Sequence, residues 1–258
     1  MYSLIGGLLG YFLLHSFWAA LLGYFIGSSL DRAQSYGLGG INPLSNSQRK
    51  KVFLETTFTL MGKLAKADGH ISKNEVNHVE QFIKKMGMSS EHRGLAITQF
   101  KLGSEANFDI EATLDEFMTH CGNTSNLRQV LLMYLIVMAL ADGKLDSAEQ
   151  SLLEKIAARL NYSAAEFRQL LDMVLNQSHF SQGQTHSASA LDDAYKALGV
   201  TAQQSDQEIK RAYRKLISQY HPDKLIGQGL PEDMIAVATE QAKDIQVAYD
   251  LIKKQRAN

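Results

Sequence analysis

The sequence predicts an all-α protein with an N-terminal transmembrane helix, a helical bundle in the middle and a helical hairpin at the C-terminus. Apolar residues recur at three- and four-residue spacing along most of the 258 residues, which is the period of an amphipathic helix. All three prolines stand at expected helix boundaries, and alternating β-branched runs are missing. The N-terminus is uncharged and apolar, as in a bilayer-spanning segment. We expect five segments, at residues 1–30, 31–47, 48–176, 177–190 and 191–258.

The N-terminal apolar stretch predicts one transmembrane helix. Residues 4–30 carry no charge when His15 is neutral, and they exceed the roughly 20 apolar residues that cross a bilayer. A cleaved signal peptide would have a positive start and a shorter apolar stretch. Basic residues follow the segment, at Arg32 and at positions 49–51, and none precedes it. By the positive-inside rule, the short N-terminus lies outside and the bulk of the chain is cytoplasmic.

Two glycine pairs within this segment predict contact between two copies of it. Gly6 with Gly10, and Gly23 with Gly27, form G-x-x-x-G spacings, which let two membrane helices approach closely. We therefore expect a homodimer through the transmembrane helix, although glycine is common in membrane helices for other reasons. His15 lies near mid-membrane. It is either a proton or ligand site or, as we favour, a neutral imidazole that bonds a sister helix.

The composition excludes several functional classes. The net charge is −1 and concentrated basic surface is limited to one short helix, so nucleic acid is not an expected partner. The single cysteine, Cys121, cannot form an internal disulfide, which fits a reducing compartment. Since no His or Asp pattern accompanies it, we interpret it as a buried thiol in a helix. No metal or cofactor site is expected.

The middle of the chain predicts a helical bundle. Residues 31–47 are rich in Gly, Ser and Asn, as in a flexible tether. Helical stripes and short breaks then alternate up to residue 176. The expected helices lie at residues 53–64, 76–86, 95–102, 110–120, 130–141, 148–160 and 164–174. The run at 130–141 is too short to cross a bilayer, so we expect it to be the buried central helix of the bundle.

An internal repeat occurs in the bundle, where AKADGHISKNE aligns with ALADGKLDSAE. Gly69 and Gly143 can each end a helix in left-handed geometry. Ser72 or Asp146 can then cap the next helix, with a glutamate three residues later completing a capping box. The same residues also match the second half of a calcium-binding loop, but the first half lacks oxygen ligands. We therefore favour the capping interpretation.

The C-terminal part predicts three helices. Residues 177–190 are polar and small, so we expect a second linker that isolates residues 191–258 as a separate body. The expected helices lie at residues 191–198, 205–220 and 231–253. Ser205, followed three residues later by Glu208, marks the start of the second helix with a capping box. The third helix is expected to pair with the second as an antiparallel hairpin.

The second of these helices is amphipathic and leads into a charged tripeptide. Its apolar face carries residues at three- and four-residue spacing. The basic residues on its other face are Lys210, Arg211, Arg214 and Lys215. Pro222 lacks an amide hydrogen and displaces the residue before it from helical geometry. The helix should therefore end near Tyr220 and leave His221, Pro222 and Asp223 in an exposed loop.

A helix with the sequence AYRKL that runs into His-Pro-Asp-Lys resembles the J-domain of DnaJ-type co-chaperones. The segments DDAYKALGV upstream and AKDIQVAYDLI downstream fit the same family pattern. The resemblance implies that this unit binds a DnaK-type chaperone and stimulates its ATP hydrolysis. The residues that it assigns to chaperone binding are Lys210, Tyr213, Arg214, Lys215, His221, Pro222, Asp223 and Lys224. Ala242 departs from the family pattern, which has Phe there, and the Gly/Phe-rich region and zinc-binding cysteines of full DnaJ are missing.

The repeated A-D-G-x-[IL] turn, in an all-helical domain of this size, resembles the TerB-like (tellurite-resistance) fold. The order of membrane helix, TerB-like bundle, polar linker and J-domain resembles that of bacterial membrane-anchored J-domain co-chaperones. This resemblance implies a single-pass protein of the bacterial inner membrane with a periplasmic N-terminus. It also implies clients at the membrane or in envelope-stress or capsule signalling.

Two other functional classes are open to the sequence. A membrane-tethered scaffold or signalling adaptor would act mainly through the central bundle, and the long run of helices there is compatible with that role. An enzyme would have to use His221 and Asp223 as acid and base. No nucleophile or pocket pattern accompanies these residues, so we do not expect an enzyme.

Overall fold

The computed structural model describes residues 43–69, 73–141, 145–181 and 188–256. These residues form eleven α-helices and one 3-10 helix, without a strand among them, which confirms the all-α class for this part of the chain. The described residues from Gln48 onward form one compact unit. The predicted membrane helix, with its glycine pairs and His15, lies outside the described residues. None of the described helices has the length and apolar character that a bilayer crossing requires.

Seven helices form the central bundle. They are α1 (Pro43–Ala65), α2 (Lys73–Met86), α3 (Ser90–Gly103), α4 (Glu111–Cys121), α5 (Ser125–Ala139), α6 (Ser147–Arg159) and α7 (Ala164–Ser181). Helix α1 begins inside the segment predicted as a linker, because proline is well suited to the first turn of a helix, where no amide hydrogen is needed. Helix α7 continues seven residues beyond its predicted end at residue 174. Its polar residues there lower helix propensity only slightly, and no Gly or Pro interrupts them.

Helix α5 is the buried centre of the bundle, as the sequence predicts. Eleven of its fifteen residues are buried. Tyr134 at its middle is fully enclosed and meets the rings of Phe53 from α1 and Phe82 from α2 edge-on, with ring centroids 6.1 and 5.7 Å away. Edge-to-face contact suits the charge distribution of aromatic rings. Helices α1 and α2 thus both pack against one residue of α5.

The two turns of the internal repeat are described in part, and the second confirms the capping interpretation. In the first, Gly69 has a φ of +94°, but α1 already ends at Ala65, so this glycine lies in the turn after the helix and does not itself end it. Asp146 caps α6, and Glu149 completes the capping box from the third helical residue. Ser72 and Gly143 lie outside the described residues. Within the described ranges, no three His, Cys, Asp or Glu side chains are grouped so that they could hold a metal ion.

Four further helices form the C-terminal unit. They are α8 (Ala188–Ala197), α9 (Asp206–Gln219), α10 (Pro222–Gln228) and α11 (Ile235–Arg256), with a 3-10 turn at Glu232–Met234 before α11. Helices α9 and α11 form the predicted hairpin. Helix α10 is an addition to the three predicted helices, and it occupies the connection that the sequence suggested was a loop.

The C-terminal unit is not the separate body that the polar linker predicts. Helix α8 packs along α7, and α11 packs against both α7 and α2. The buried apolar residues of the bundle and of the C-terminal unit belong to one core. Gly199, after α8, comes so close to α7 that an added Cβ would lie 2.8 Å from the side-chain nitrogen of Gln169. Linker composition reports how two segments are joined, and it contains no information about whether their surfaces pack together.

Helices α1 and α3 cross at two glycines. A Cβ added at Gly103 would lie 1.8 Å from the carbonyl oxygen of Thr59, and one added at Gly62 would lie 2.0 Å from that of Phe100. Both contacts are with backbone atoms, which cannot move aside without separating the helices. The crossing therefore requires glycine on both helices.

We expect Gly103→Ala to destabilise the fold by about 1–3 kcal/mol or more, because its methyl group would overpack the crossing. Gly94→Ala is the matched control in the same helix, since a Cβ there meets nothing within 4 Å. The control should be neutral or stabilising by up to about 1 kcal/mol, through higher helix propensity. Urea unfolding followed by circular dichroism compares the two variants. Equal stabilities would show that the crossing is looser than described.

Candidate functional site

Helix α9 carries most of the residues that the sequence assigns to binding, and its start is fixed by the predicted capping box. The Glu208 amide donates to the Ser205 hydroxyl oxygen at 3.4 Å, and the Glu208 carboxylate accepts from the Ser205 amide at 2.8 Å. The Ser205 hydroxyl also donates to this carboxylate at 2.7 Å. These bonds to Ser205 hold the pKa of Glu208 below its usual value. A charged carboxylate at this end also complements the helix dipole.

The outer face of α9 is a continuous cationic surface. The four basic residues Lys210, Arg211, Arg214 and Lys215 are all exposed. Among the described residues, Lys210, Arg214 and Lys215 form neither an ion pair nor a hydrogen bond with a side chain. We call the four residues Lys210, Arg211, Arg214 and Lys215 the basic face. Because these three charges are not neutralised within the described structure, they are available to an acidic partner.

The inner face of α9 is packed against α11. Ile209, Leu216 and Tyr220 are buried, and the ring of Tyr213 stacks on that of Tyr249 with centroids 4.1 Å apart and planes 11° from parallel. The Tyr213 hydroxyl donates to the side-chain oxygen of Gln246. Tyr213 is therefore part of the hairpin interior, and only a fraction of its surface remains for the contact with a partner that the sequence predicts.

The His-Pro-Asp tripeptide is exposed, but only its first residue lies in a loop. His221 has extended geometry, whereas Pro222 is the first residue of α10 and Asp223 lies in the first turn. This corrects the prediction that all three residues form a loop. The physical reason is that proline suits the first helical position and an acid suits the first turn. His221 and Asp223 are exposed, and Pro222 is half-buried.

Local contacts mark both ends of helix α10. The Lys224 ammonium donates to the Ser218 hydroxyl across the bend, at 3.2 Å. The helix ends at Gly229, whose φ of +112° lies in the left-handed region that favours glycine. Sequence reasoning could have found this helix from the proline at its start and the glycine seven residues later.

Arg256 braces the base of the hairpin, and the sequence interpretation missed it. Its guanidinium donates to the hydroxyl of Tyr195, to the carbonyls of Gln204 and Ala202, and to the carboxylate of Asp206. It also lies over the Tyr195 ring, 5.4 Å from the centroid. One side chain thus ties together α8, the loop before α9, the start of α9 and the end of α11. A basic residue in the last turn of a helix was the only sequence signal for it.

The ends of the tripeptide region are held by the central bundle. Before it, the buried Tyr220 hydroxyl accepts from the side-chain amide of Gln129 at 3.1 Å, and burial raises the pKa of Tyr220. After it, Gln228 accepts from the side-chain amide of Asn126 at 3.1 Å. Further on, the carbonyl of Met234 accepts from the Tyr134 hydroxyl. All three donors belong to α5, and the sequence contains no local signal for these contacts.

Cys121 is a buried helical thiol, as predicted. Its side chain is fully buried at the end of α4, and its sulfur donates weakly to the carbonyl of Arg49 at 3.9 Å. Burial raises the pKa of this thiol to about 12. At neutral pH it is therefore protonated, and the thiolate that nucleophilic chemistry requires is not populated.

We expect Ser205→Ala to lower the free energy of unfolding by about 1 kcal/mol, because the start of α9 would lose its cap. Ser151→Ala is the matched control, since Ser151 is exposed in the middle of α6 and bonds only to the Ser147 carbonyl one turn earlier. That change should be close to neutral. Thermal unfolding of both variants tests the cap, and an equal effect of the two substitutions would contradict it.

Two family models match the chain. The model for tellurite resistance protein TerB matches residues 55–172, within the central bundle. The DnaJ domain model matches residues 193–258, which contain the basic face and the tripeptide. No solved structure matches the chain.

Several curated relatives are similar over most of their length. The co-chaperone protein DjlA of Photobacterium profundum is 35% identical over 252 residues, which is 91% of this chain and 91% of the relative. That of Escherichia coli K12 is 34% identical and covers 93% of this chain and 92% of the relative. That of Shewanella oneidensis is 36% identical and covers 81% and 79%. With this identity over nearly the whole chain, and with a TerB domain followed by a DnaJ domain, the protein belongs to the DjlA family of co-chaperones.

Proposed function

We propose that this protein is a membrane-anchored co-chaperone that binds a DnaK-type chaperone and stimulates its ATP hydrolysis. The observation that carries the proposal is the exposed His221 and Asp223 at the end of a cationic helix, inside the segment that matches the DnaJ domain. Membership of a J-domain co-chaperone family supports the same partner. The protein would act on the nucleotide cycle of that chaperone, and it would not be a catalyst itself.

The basic face would steer an acidic surface of the chaperone toward α9. Charges at the edge of an interface mainly raise the association rate and fix the orientation of the partner. The Asp223 carboxylate would then meet a cationic group of the chaperone, and Arg is suited to such a contact because its guanidinium can form two parallel hydrogen bonds with a carboxylate. Pro222 fixes its own φ and restricts the backbone of His221 before it, and Asp223 lies in the first turn of α10, so the carboxylate and the His221 ring are presented in a defined arrangement.

We also propose that residues 1–30 hold the chain in the bacterial inner membrane by a single pass, with the N-terminus periplasmic and the bulk cytoplasmic. The uncharged apolar stretch and the basic residues that follow it support this arrangement. Close approach of two copies at the G-x-x-x-G spacings of Gly6 with Gly10 and of Gly23 with Gly27 would give a homodimer. The clients would then be proteins at the membrane or in envelope-stress or capsule signalling.

A role as a scaffold or signalling adaptor is the second candidate. The observation that favours it is the size of the bundle, since seven helices, among them the buried α5, form it before the C-terminal unit begins. Substitutions at exposed positions of the bundle that leave ATPase stimulation normal test this role: loss of cellular phenotypes in such variants would favour it, and intact phenotypes would contradict it.

Substitution at the tripeptide tests the co-chaperone function. We expect His221→Gln and Asp223→Asn to reduce the DnaK ATP hydrolysis rate to its basal value. The first substitution removes the imidazole and the second removes the carboxylate, and the chaperone is proposed to contact both groups. Steady-state hydrolysis by a bacterial DnaK, titrated with the full-length chain, measures this effect. Asp192→Asn is the control, since this carboxylate is exposed on α8 and pairs with Lys196 one turn away.

The circular dichroism spectra of His221→Gln, Asp223→Asn and Asp192→Asn should all match that of the unsubstituted chain, because none of the three substituted side chains is buried. Undiminished stimulation by both tripeptide variants would refute the proposed function.

Charge reversal on the basic face tests the steering step. Arg214→Glu should raise the concentration for half-maximal stimulation by roughly three- to tenfold at low salt and should weaken its dependence on salt, since a steering charge changes sign. Lys253→Glu makes the same change of charge at an exposed position of α11 and serves as the control. The ATPase titration is repeated at two salt concentrations. An equal effect of the two reversals would show that net charge, and not the basic face, is responsible.

A further inference from the structure

Helix α10 is too short to be stable alone, although it carries two of the three residues of the tripeptide, Pro222 and Asp223. It has seven residues, and isolated helices of fewer than about 12 residues are marginal in water even when composed of good helix formers. Its conformation must therefore come from tertiary contacts. Leu225, one turn into the helix, is fully buried, and Gln228 at its end bonds to Asn126 of the central bundle. The TerB-matching bundle thus contributes directly to the order of the segment that contains Asp223.

The contacts with α5 bracket the tripeptide without covering it. Gln129 binds Tyr220, the residue immediately before His221. Tyr134 binds the carbonyl of Met234, where the chain turns into α11. Between these two points the side chains of His221 and Asp223 stay exposed. The bundle therefore holds the buried residues on either side of the tripeptide, Tyr220 and Met234, and leaves the side chains of His221 and Asp223 open to a partner.

Two ion pairs and one hydrogen bond join basic residues of the bundle to acidic residues of the C-terminal unit. The ion pairs are Lys50 with Glu232 and Lys85 with Glu240, and the hydrogen bond lies between His92 Nδ1 and the Asp233 carboxylate at 2.6 Å. Exposed pairs contribute little to stability individually. In all three contacts the acid belongs to the C-terminal unit, which disfavours other orientations of the two surfaces because a displaced acid would lose its partner.

We propose that helix α5 positions the tripeptide for the DnaK-type partner, with Asn126 and Gln129 as positioning residues that touch neither the partner nor the reacting nucleotide. The inference rests on the proposed function. A segment that is already held in its bound conformation loses less conformational freedom on binding. If α10 were ordered for only a fraction of the time, the apparent affinity would fall by that fraction. The bundle therefore acts on affinity, and the maximal stimulation does not depend on it.

The first experiment titrates a bacterial DnaK with full-length Gln129→Ala and Asn126→Ala variants. The loss of one hydrogen bond of this kind should raise the half-maximal concentration roughly two- to tenfold, with the same maximal rate. Gln150→Ala is the matched control, since Gln150 is an exposed residue of α6 that bonds only to its neighbour Glu154. It should leave both parameters unchanged.

A double-mutant cycle separates positioning from general damage to the fold. Tyr220→Phe removes the acceptor of the Gln129 bond and keeps the ring that fills the core. When Gln129→Ala and Tyr220→Phe are combined, the rise in half-maximal concentration should be smaller than the product of the two single effects, because both variants delete the same bond. A combined effect equal to that product would overturn the assignment of this pair.

Hydrogen exchange of the full-length chain alone provides a measurement that does not involve the chaperone. The amides of Leu225 and Gly229 bond within α10 and its end. In Asn126→Ala and Gln129→Ala their exchange should accelerate by roughly the same two- to tenfold, while Gln150→Ala should have no effect.

The outcomes distinguish the two proposals. If the unsubstituted chain does not stimulate DnaK, the proposed function is wrong, and the exchange rates still decide whether α5 orders α10. If exchange and half-maximal concentration are both unchanged in the α5 variants, positioning by α5 is wrong although the co-chaperone function stands. If these variants stimulate at lower concentrations than the unsubstituted chain, the contact restrains the tripeptide, and the positioning proposal is also overturned.

Discussion

A helix that is apolar on all sides over most of its length must be enclosed there, and the structure from residue 48 onward is arranged around this constraint on α5. The bundle encloses much of α5, and the C-terminal unit completes the enclosure through α10 and the turn before α11. The Tyr134 hydroxyl, buried in the middle of an apolar core, requires a hydrogen-bond partner. It finds one in the backbone of the C-terminal unit. The two family-defined regions are therefore parts of one folded core.

Because the core is shared, contacts along its whole length hold the hairpin of α9 and α11 in one position. Its base is tied by Arg256, its middle by the stacked rings of Tyr213 and Tyr249, and its tip by the contacts with α5. The charged groups that a partner would read lie on the outside of this braced element. A surface held in one arrangement loses little freedom when it is bound, which is how a small number of exposed side chains can give a specific contact.

The sequence was sufficient wherever structure follows from neighbouring residues. The capping box of α9, the amphipathic pattern of that helix and the apolar run of α5 are local signals, and each led to the right element. It failed where distant residues decide the outcome. The bonds from α5 to the C-terminal unit join residues 91 to 102 positions apart, so the docking of the two regions could not be derived from periodicity or linker composition. Helix α10 was missed for a different reason: Pro222 was interpreted only as the end of α9, although it is also the first residue of α10.

The burial of Cys121 has a practical consequence for spectroscopy and cross-linking. It is the one cysteine in the sequence, and its thiol is enclosed and protonated, so maleimide reagents would encounter almost no thiolate in the folded chain. A cysteine introduced at any exposed position would then be the single site that accepts a fluorophore or spin label. The native background needs no removal, and distances within the chain become measurable with one or two added thiols.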